Sequence, residues 1–188
     1  SLNPQHPAAA QASPVPSGIN MMPGSPAAQF GRNPEWARAW KSATAGELPA
    51  VPPPAAGTPE LREEIAQHLR ATRGVHCTAE NIVVTSGTND GIALLVHALR
   101  PRSGKYSIAT EDPGYPSARS VISMLGADPM PIPVSNGGID VAHLRASDDP
   151  IAAALVTPSH QYPLGGRLPV AARLELLAWA RERQAFIL

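Results

Sequence analysis

Three short polar segments of this 188-residue chain carry residue types that suit ligand chemistry. The first is Val83-Val84-Thr85-Ser86-Gly87-Thr88-Asn89, which passes from an apolar stretch into a helical pattern. Gly87 lets the backbone turn tightly and approach a ligand. The free N–H groups of a helix start, with the Ser86 and Thr88 hydroxyls, suit a phosphate. A capped helix with no ligand would read the same way. The second is Glu111-Asp112-Pro113-Gly114-Tyr115-Pro116, where Pro-Gly makes a turn and presents Tyr115. Its ring could stack on a flat ligand, or simply pack while the hydroxyl finds a partner. The third is Thr157-Pro158-Ser159-His160-Gln161-Tyr162-Pro163-Leu164-Gly165, which contains the only histidine placed in such a loop, His160. His68, His97 and His143 fall on helical patterns without ligand-like spacing, and His76 follows a helix stop. No His-Glu-x-x-His array suggests a metal. Ser86 lacks the Gly-x-Ser-x-Gly turn of a hydrolase nucleophile.

Each segment needs an element to aim it. Apolar runs over 82–85, 106–110, 129–134, 151–156 and 185–188 read as strands, the third broken up by Pro129, Pro131 and Pro133. Helical periodicity covers 89–99, 115–125 and 169–183, with a short turn at 141–144. An earlier helix opens after Thr58, a plausible N-cap, with Pro59 in its first turn, and stops at Gly74. Strands alternating with such helices predict an α/β fold with a mostly parallel sheet and helices on both faces. The three polar loops then converge at the carboxyl edge, where open α/β sheets hold ligands. One offers anion-binding amides, one an aromatic plate and one polar groups, a set that suits a phosphorylated aromatic cofactor.

Upstream the composition changes. Residues 1–16 are rich in Pro, Ala, Gln and Ser and read as a flexible linker. Residues 17–57 read as an extended arm, with a short helix over 33–43 carrying Trp36 and Trp40 and a Pro52-Pro53-Pro54 stretch. The last apolar run, 185–188, enters a sheet with no helix after it, so 58–188 is expected to be the first part of a larger α/β domain.

Formal net charge is zero, which leaves no basic footprint for nucleic acid or a membrane surface. No apolar run approaches the roughly 20 residues needed to span a bilayer, and no secretory leader is expected. The single cysteine, Cys77, excludes an internal disulfide framework and fits a reducing, cytoplasmic setting.

Five stretches in this order resemble the fold-type-I pyridoxal-phosphate enzymes, and more narrowly the aminotransferase-like domain of MocR-type regulators of the GntR superfamily. They are Gly57-Thr58-Pro59-Glu60-Leu61-Arg62-Glu63, Arg73-Gly74-Val75, Val83 to Thr88, Glu111 to Pro116, and Thr157 to Gly165. The resemblance implies pyridoxal 5'-phosphate as cofactor. Ser86, Gly87 and Thr88 would hold its phosphate, Tyr115 would stack on its ring, and the loop with His160 and Tyr162 would line the other edge. Ordinary aminotransferases usually carry Asn where Tyr162 stands. The resemblance also implies an effector domain that senses an amine or amino acid, a homodimer, and DNA contact only through a winged-helix domain outside this chain.

There are departures. The lysine that holds the cofactor covalently, and the acid that pairs with its ring nitrogen, belong beyond Leu188. Lys41 and Lys105 match neither motif, so this stretch alone is expected to be inactive. Residues 48–54 lack the tyrosine that commonly reaches a neighbouring subunit's phosphate. The alternatives are a true aminotransferase represented by part of its chain, and a non-catalytic dimerisation module.

Overall fold

The computed structural model describes residues 33–46, 51–102 and 104–188. The expected linker 1–16, the arm up to residue 32 and residues 47–50 lie outside the described residues. The chain divides into two units, 1–47 and 48–188. The first holds α1 (Pro34–Thr44). The Asn33 side chain accepts from the Glu35 N–H at 2.9 Å to cap it. The Trp36 and Trp40 rings lie one turn apart, their centroids separated by 6.2 Å.

The second unit runs α2 (Pro59–Arg73), α3 (Thr88–Ala98), β1 (Ser107–Asp112), α4 (Pro116–Met124), β2 (Asp128–Ser135), β3 (Gly138–Ile139), α5 (Val141–Ala146), β4 (Ile151–Leu155), α6 (Val170–Arg183) and β5 (Phe186–Ile187). Thr58 stands at the N-cap of α2, but its hydroxyl makes no capping bond. Gly74 ends the helix in the left-handed conformation, φ 64°, which glycine adopts without penalty.

The strands form one sheet in the order β3-β2-β1-β4-β5. β1 pairs in parallel with β2 and with β4, β4 pairs in parallel with β5, and β3 is antiparallel to β2. Successive strand residues point to opposite faces. Ile108 and Ala153 therefore pack with Ile92 and Val96 of α3 and Ala118 and Ile122 of α4. Their chain neighbours Ala109 and Ala154 pack on the other face with Leu144 of α5 and Leu176, Trp179 and Ala180 of α6. The expected helices on both faces are present.

Three readings of the sequence need correction. Residues 82–85 are extended but join no strand among the described residues. The backbone there is held by Val84 N–H on Ala56 O at 2.9 Å and by Arg62 Nε on Ile82 O at 2.9 Å. Val83 is 56% exposed, so an apolar run does not make a paired strand by itself. Second, the prolines do not break β2, which is continuous over eight residues. Backbone groups of a strand alternate sides. Asp128 N–H points to Tyr106 O beside β1, whereas Pro133 O accepts from Asp140 on the opposite edge. Pro129, Pro131 and Pro133 share the parity of that opposite edge, so their missing donors cost the β1 ladder nothing. Third, β3 was not expected. Asn136 and Gly137, both at positive φ, turn β2 back on itself into a two-residue hairpin.

Two consequences can be measured. Trp179 is 1% exposed and is the largest fully buried side chain. Trp179→Ala should cost about 3–5 kcal/mol in urea unfolding; a loss below about 1 kcal/mol would contradict its place in the core. Asp140 caps α5 through the His143 N–H at 2.9 Å and accepts from Ser135 Oγ at 3.1 Å. The His143 backbone bond holds its carboxyl below the ordinary 3.8; burial, the next largest effect, opposes it, and the Ser135 bond, the His143 charge and the Ala142 backbone bond add to the lowering. The stabilisation is therefore present above pH 3.8 and lost as pH falls through the lower folded value. Asp140→Ala should cost about 1 kcal/mol at neutral pH, and the gap from wild type should close in acid. A gap that persists in acid would rule out this account.

Candidate functional site

Leaving β1, the chain moves to β2 on one side; β4 and β5 then build on the other. That reversal makes β1–β4 the switch point, and open α/β sheets hold ligands beyond the carboxyl ends of the strands at such a point. The segments that leave them are 113–115 after β1 and 156–169 after β4. The structure brings their aromatic residues together. The rings of Tyr115 and Tyr162 lie 6.4 Å apart at 88°, an edge-to-face pair. Tyr115 is 40% exposed, which leaves ring surface free.

Beneath the pair is a buried polar link between the loops. Glu111, near the end of β1, is 5% exposed. Its Oε2 accepts from the Thr157 N–H at 3.2 Å and from Gln161 Nε2 at 3.2 Å. Gln161, 1% exposed, donates from the same Nε2 to Pro113 O at 2.9 Å and accepts the Leu164 N–H at 3.3 Å. The Gln161 N–H reaches Gly166 O at 2.7 Å. Arg173 of α6 secures the base of the second loop, with Nε on Leu168 O at 2.8 Å and Nη2 on Pro158 O and Ser159 Oγ. Arg119 of α4 secures the first, with Nη2 at 2.8 Å from both Glu111 O and Asp112 Oδ1. Glu111 Oε1 and Arg119 Nε are buried without a partner among the described residues.

The phosphate-type turn is separate from this pair. Ser86, Gly87 and Thr88 stand at the N-terminus of α3, with Gly87 at the N-cap and φ 144°. A Cβ on Gly87 would meet open space, so conformation rather than crowding calls for glycine here. The Ser86 N–H is taken by Asp90 Oδ2 at 2.9 Å. The Ser86 and Thr88 hydroxyls have no hydrogen-bond partner among the described residues. Tyr106 OH bonds Val96 O at 3.0 Å, which fixes the far end of α3 beside the start of β1. The Ser86–Thr88 end makes no hydrogen bond to either tyrosine among the described residues. His160 is exposed, at φ 61°, and its side chain has no partner among the described residues.

Sequence reading singled out Tyr115 and Tyr162 but gave no role to Glu111, Gln161 or Arg173. One signal was available: a glutamate ending a run of buried strand residues must find partners.

The sequence model described as aminotransferase class I and II matches residues 18–188, and the chain belongs to that family. Membership implies pyridoxal phosphate as the cofactor. Within the family, the chain is similar to transcriptional regulators with an aminotransferase-like domain. It is 39% identical over 170 residues to the HTH-type pyridoxine biosynthesis transcriptional regulator PdxR of Corynebacterium glutamicum, covering 90% of this chain and 36% of that protein. It is 35% identical over 132 residues to the probable rhizopine catabolism regulatory protein MocR of Rhizobium meliloti, covering 70% of this chain and 26% of that protein. The chain thus spans about a third or less of the curated relatives it matches. Among solved structures, an archaeal alanine:glyoxylate aminotransferase superposes with a TM-score of 0.70 at 28% identity, covering 79% of this chain and 38% of that one.

The tyrosine wall depends on a close approach at Gly114, where a Cβ would overlap the Glu111 carbonyl oxygen. Gly114→Ala should therefore cost about 1–3 kcal/mol in thermal or urea unfolding. Stability within about 0.5 kcal/mol of wild type would mean that the 111–115 turn is not held as described.

Proposed function

We propose that residues 58–188 are the first part of a pyridoxal-phosphate-binding effector domain in a MocR-type transcriptional regulator, sensing an amine or amino acid. The observation that carries this reading is the 39% identity to a pyridoxine-biosynthesis regulator along 90% of this chain. In this reading residues 17–57 are an arm and residues 1–16 a linker to a DNA-binding domain. The protein acts as a cytoplasmic homodimer. None of its described helices is long and apolar enough to cross a membrane.

The residues present fit the cofactor. A phosphate suits the open Gly87 turn with the Ser86 and Thr88 hydroxyls, which have no partner among the described residues. A flat ring suits the exposed Tyr115 face, with Tyr162 set edge-on behind it. His160, exposed at the tip of the same loop, would line the ring's outer side. When bound, the cofactor supplies an aldehyde that reacts reversibly with amines, which suits amine sensing. The residues of this chain bind and orient it, and the Glu111–Gln161 link keeps the wall in place.

A second reading, catalytic amino-group transfer, is supported by the fold-level match to an aminotransferase. Turnover separates the two. The regulator reading expects an amino acid to change DNA affinity with no transfer to a 2-oxo acid.

Titrating the full-length protein with pyridoxal phosphate should produce a visible absorption band that borohydride fixes as a stable mass increase. No band would sink the cofactor reading. Tyr115→Ala should weaken affinity roughly tenfold, the scale of a lost aromatic contact. Unchanged affinity would remove Tyr115 from the site.

A further inference from the structure

We infer that Glu111 and Gln161 are positioning residues, a buried pair that joins the Tyr115 and Tyr162 loops so that the Tyr115 face and the Tyr162 ring set edge-on to it form one preformed wall. This rests on the cofactor reading above and assigns to that site two residues that do not touch the ligand themselves.

Three observations carry it. The pair lies at the root of both loops. Gln161 Nε2 bridges Glu111 Oε2 and Pro113 O, and Pro113 is two residues before Tyr115. The neighbours of Tyr162 are tied to the same group: Thr157 N–H reaches Glu111, and Leu164 N–H reaches Gln161 Oε1. One side-chain contact, 50 residues apart in sequence, therefore sets the distance between the tyrosine loops.

Second, stability alone does not call for this pair. Burying a carboxylate is costly, and an apolar pair of similar size is often as stable. Buried polar groups are best attested where they fix one geometry among several.

Third, the network is incomplete. Glu111 Oε1 is buried with no partner among the described residues. A buried polar atom without a partner calls for an explanation. A pair placed to hold two loops meets its geometric role through Oε2 alone and leaves Oε1 spare. The same argument fixes the conservative variant. In Glu111→Gln the amide oxygen takes the place of Oε2 and keeps both accepted bonds, and the new NH2 falls where Oε1 had no partner. Glu111→Ala strands the Thr157 N–H and removes one of the two acceptors of Gln161 Nε2.

The test uses the full-length protein, with pyridoxal phosphate as the probe. Glu111→Ala should raise the dissociation constant about tenfold, the change equivalent to one net hydrogen bond. It should also reduce the visible circular dichroism per bound cofactor, because the ring is less firmly oriented. Glu111→Gln should restore both. Because the pair acts through the rings, Glu111→Ala added to Tyr115→Ala should weaken binding little beyond Tyr115→Ala alone. Wild-type affinity in Glu111→Ala, or losses that multiply in the double variant, would overturn the inference. If Glu111→Ala does not fold, Gln161→Met keeps the volume, loses the bonds and takes its place in the same comparison.

Amide hydrogen exchange of the ligand-free protein separates failure of this inference from failure of the cofactor reading. Breaking the pair should speed exchange at both 114–117 and 159–166, whether or not the wild type binds pyridoxal phosphate. Exchange unchanged at either loop would overturn the linkage, and absence of wild-type binding would overturn only the ligand it serves.

Discussion

β1 is bonded along both edges and packed on both faces, and the other described strands take their places from it. Ser107 through Glu111 are all buried, between β2 on one side and β4 on the other. Such a strand must be built of small or apolar residues up to the point where it leaves the sheet. Its last buried position holds a polar side chain, Glu111, which must find hydrogen-bond partners there. The partners come from the segment after β4 because β4 is the parallel neighbour whose end lies beside it. The loop arrangement of the site follows from the sheet order and from one buried polar side chain at the end of its central strand.

Much of the fold was legible because local pattern and global position agreed. The runs that became β1, β4 and β5 are short, apolar and separated by helical periodicity, and the structure pairs them as that alternation requires. Where the pattern failed, the missing information was about neighbours. Pro129, Pro131 and Pro133 read as breakers, since a proline removes a donor. Their spacing of two puts all three gaps on the side away from β1, and only strand order tells which side that is. Residues 82–85 fail in the opposite sense, with the composition of a strand and no described partner. The turn at Asn136-Gly137 carries a hairpin signal in the sequence, and it is this turn that creates β3.

The site was legible as a set of loops, but its linkage was not. Pro-Gly-Tyr and His-Gln-Tyr-Pro advertise turns with aromatic residues, so Tyr115 and Tyr162 could be named from the chain. Their meeting at 6.4 Å depends on Glu111 and Gln161, and nothing local to either motif encodes a bond between them. His160 shows the converse. It is the most conspicuous residue of its loop by chemistry, yet it points to no partner, whereas the plainer Gln161 beside it is almost fully buried.

The two halves of the candidate site are prepared to different degrees, and this bears on how a ligand would be held. At the start of α3 the Ser86 N–H already has a carboxylate, Asp90, in the first turn, where a negative charge is favourable. A phosphate arriving there competes with, or sits beside, a like charge, so the turn gains less from an anion than an uncapped helix start would. The tyrosine wall has no such competitor. Its rings are already set against each other, and the loops beneath them are fixed by bonds that need no ligand. A preformed surface spends little on ordering when it binds. In the proposed site the flat face is thus the better organised half for recognition, and Asp90 would moderate affinity for a phosphate at the Ser86–Thr88 turn.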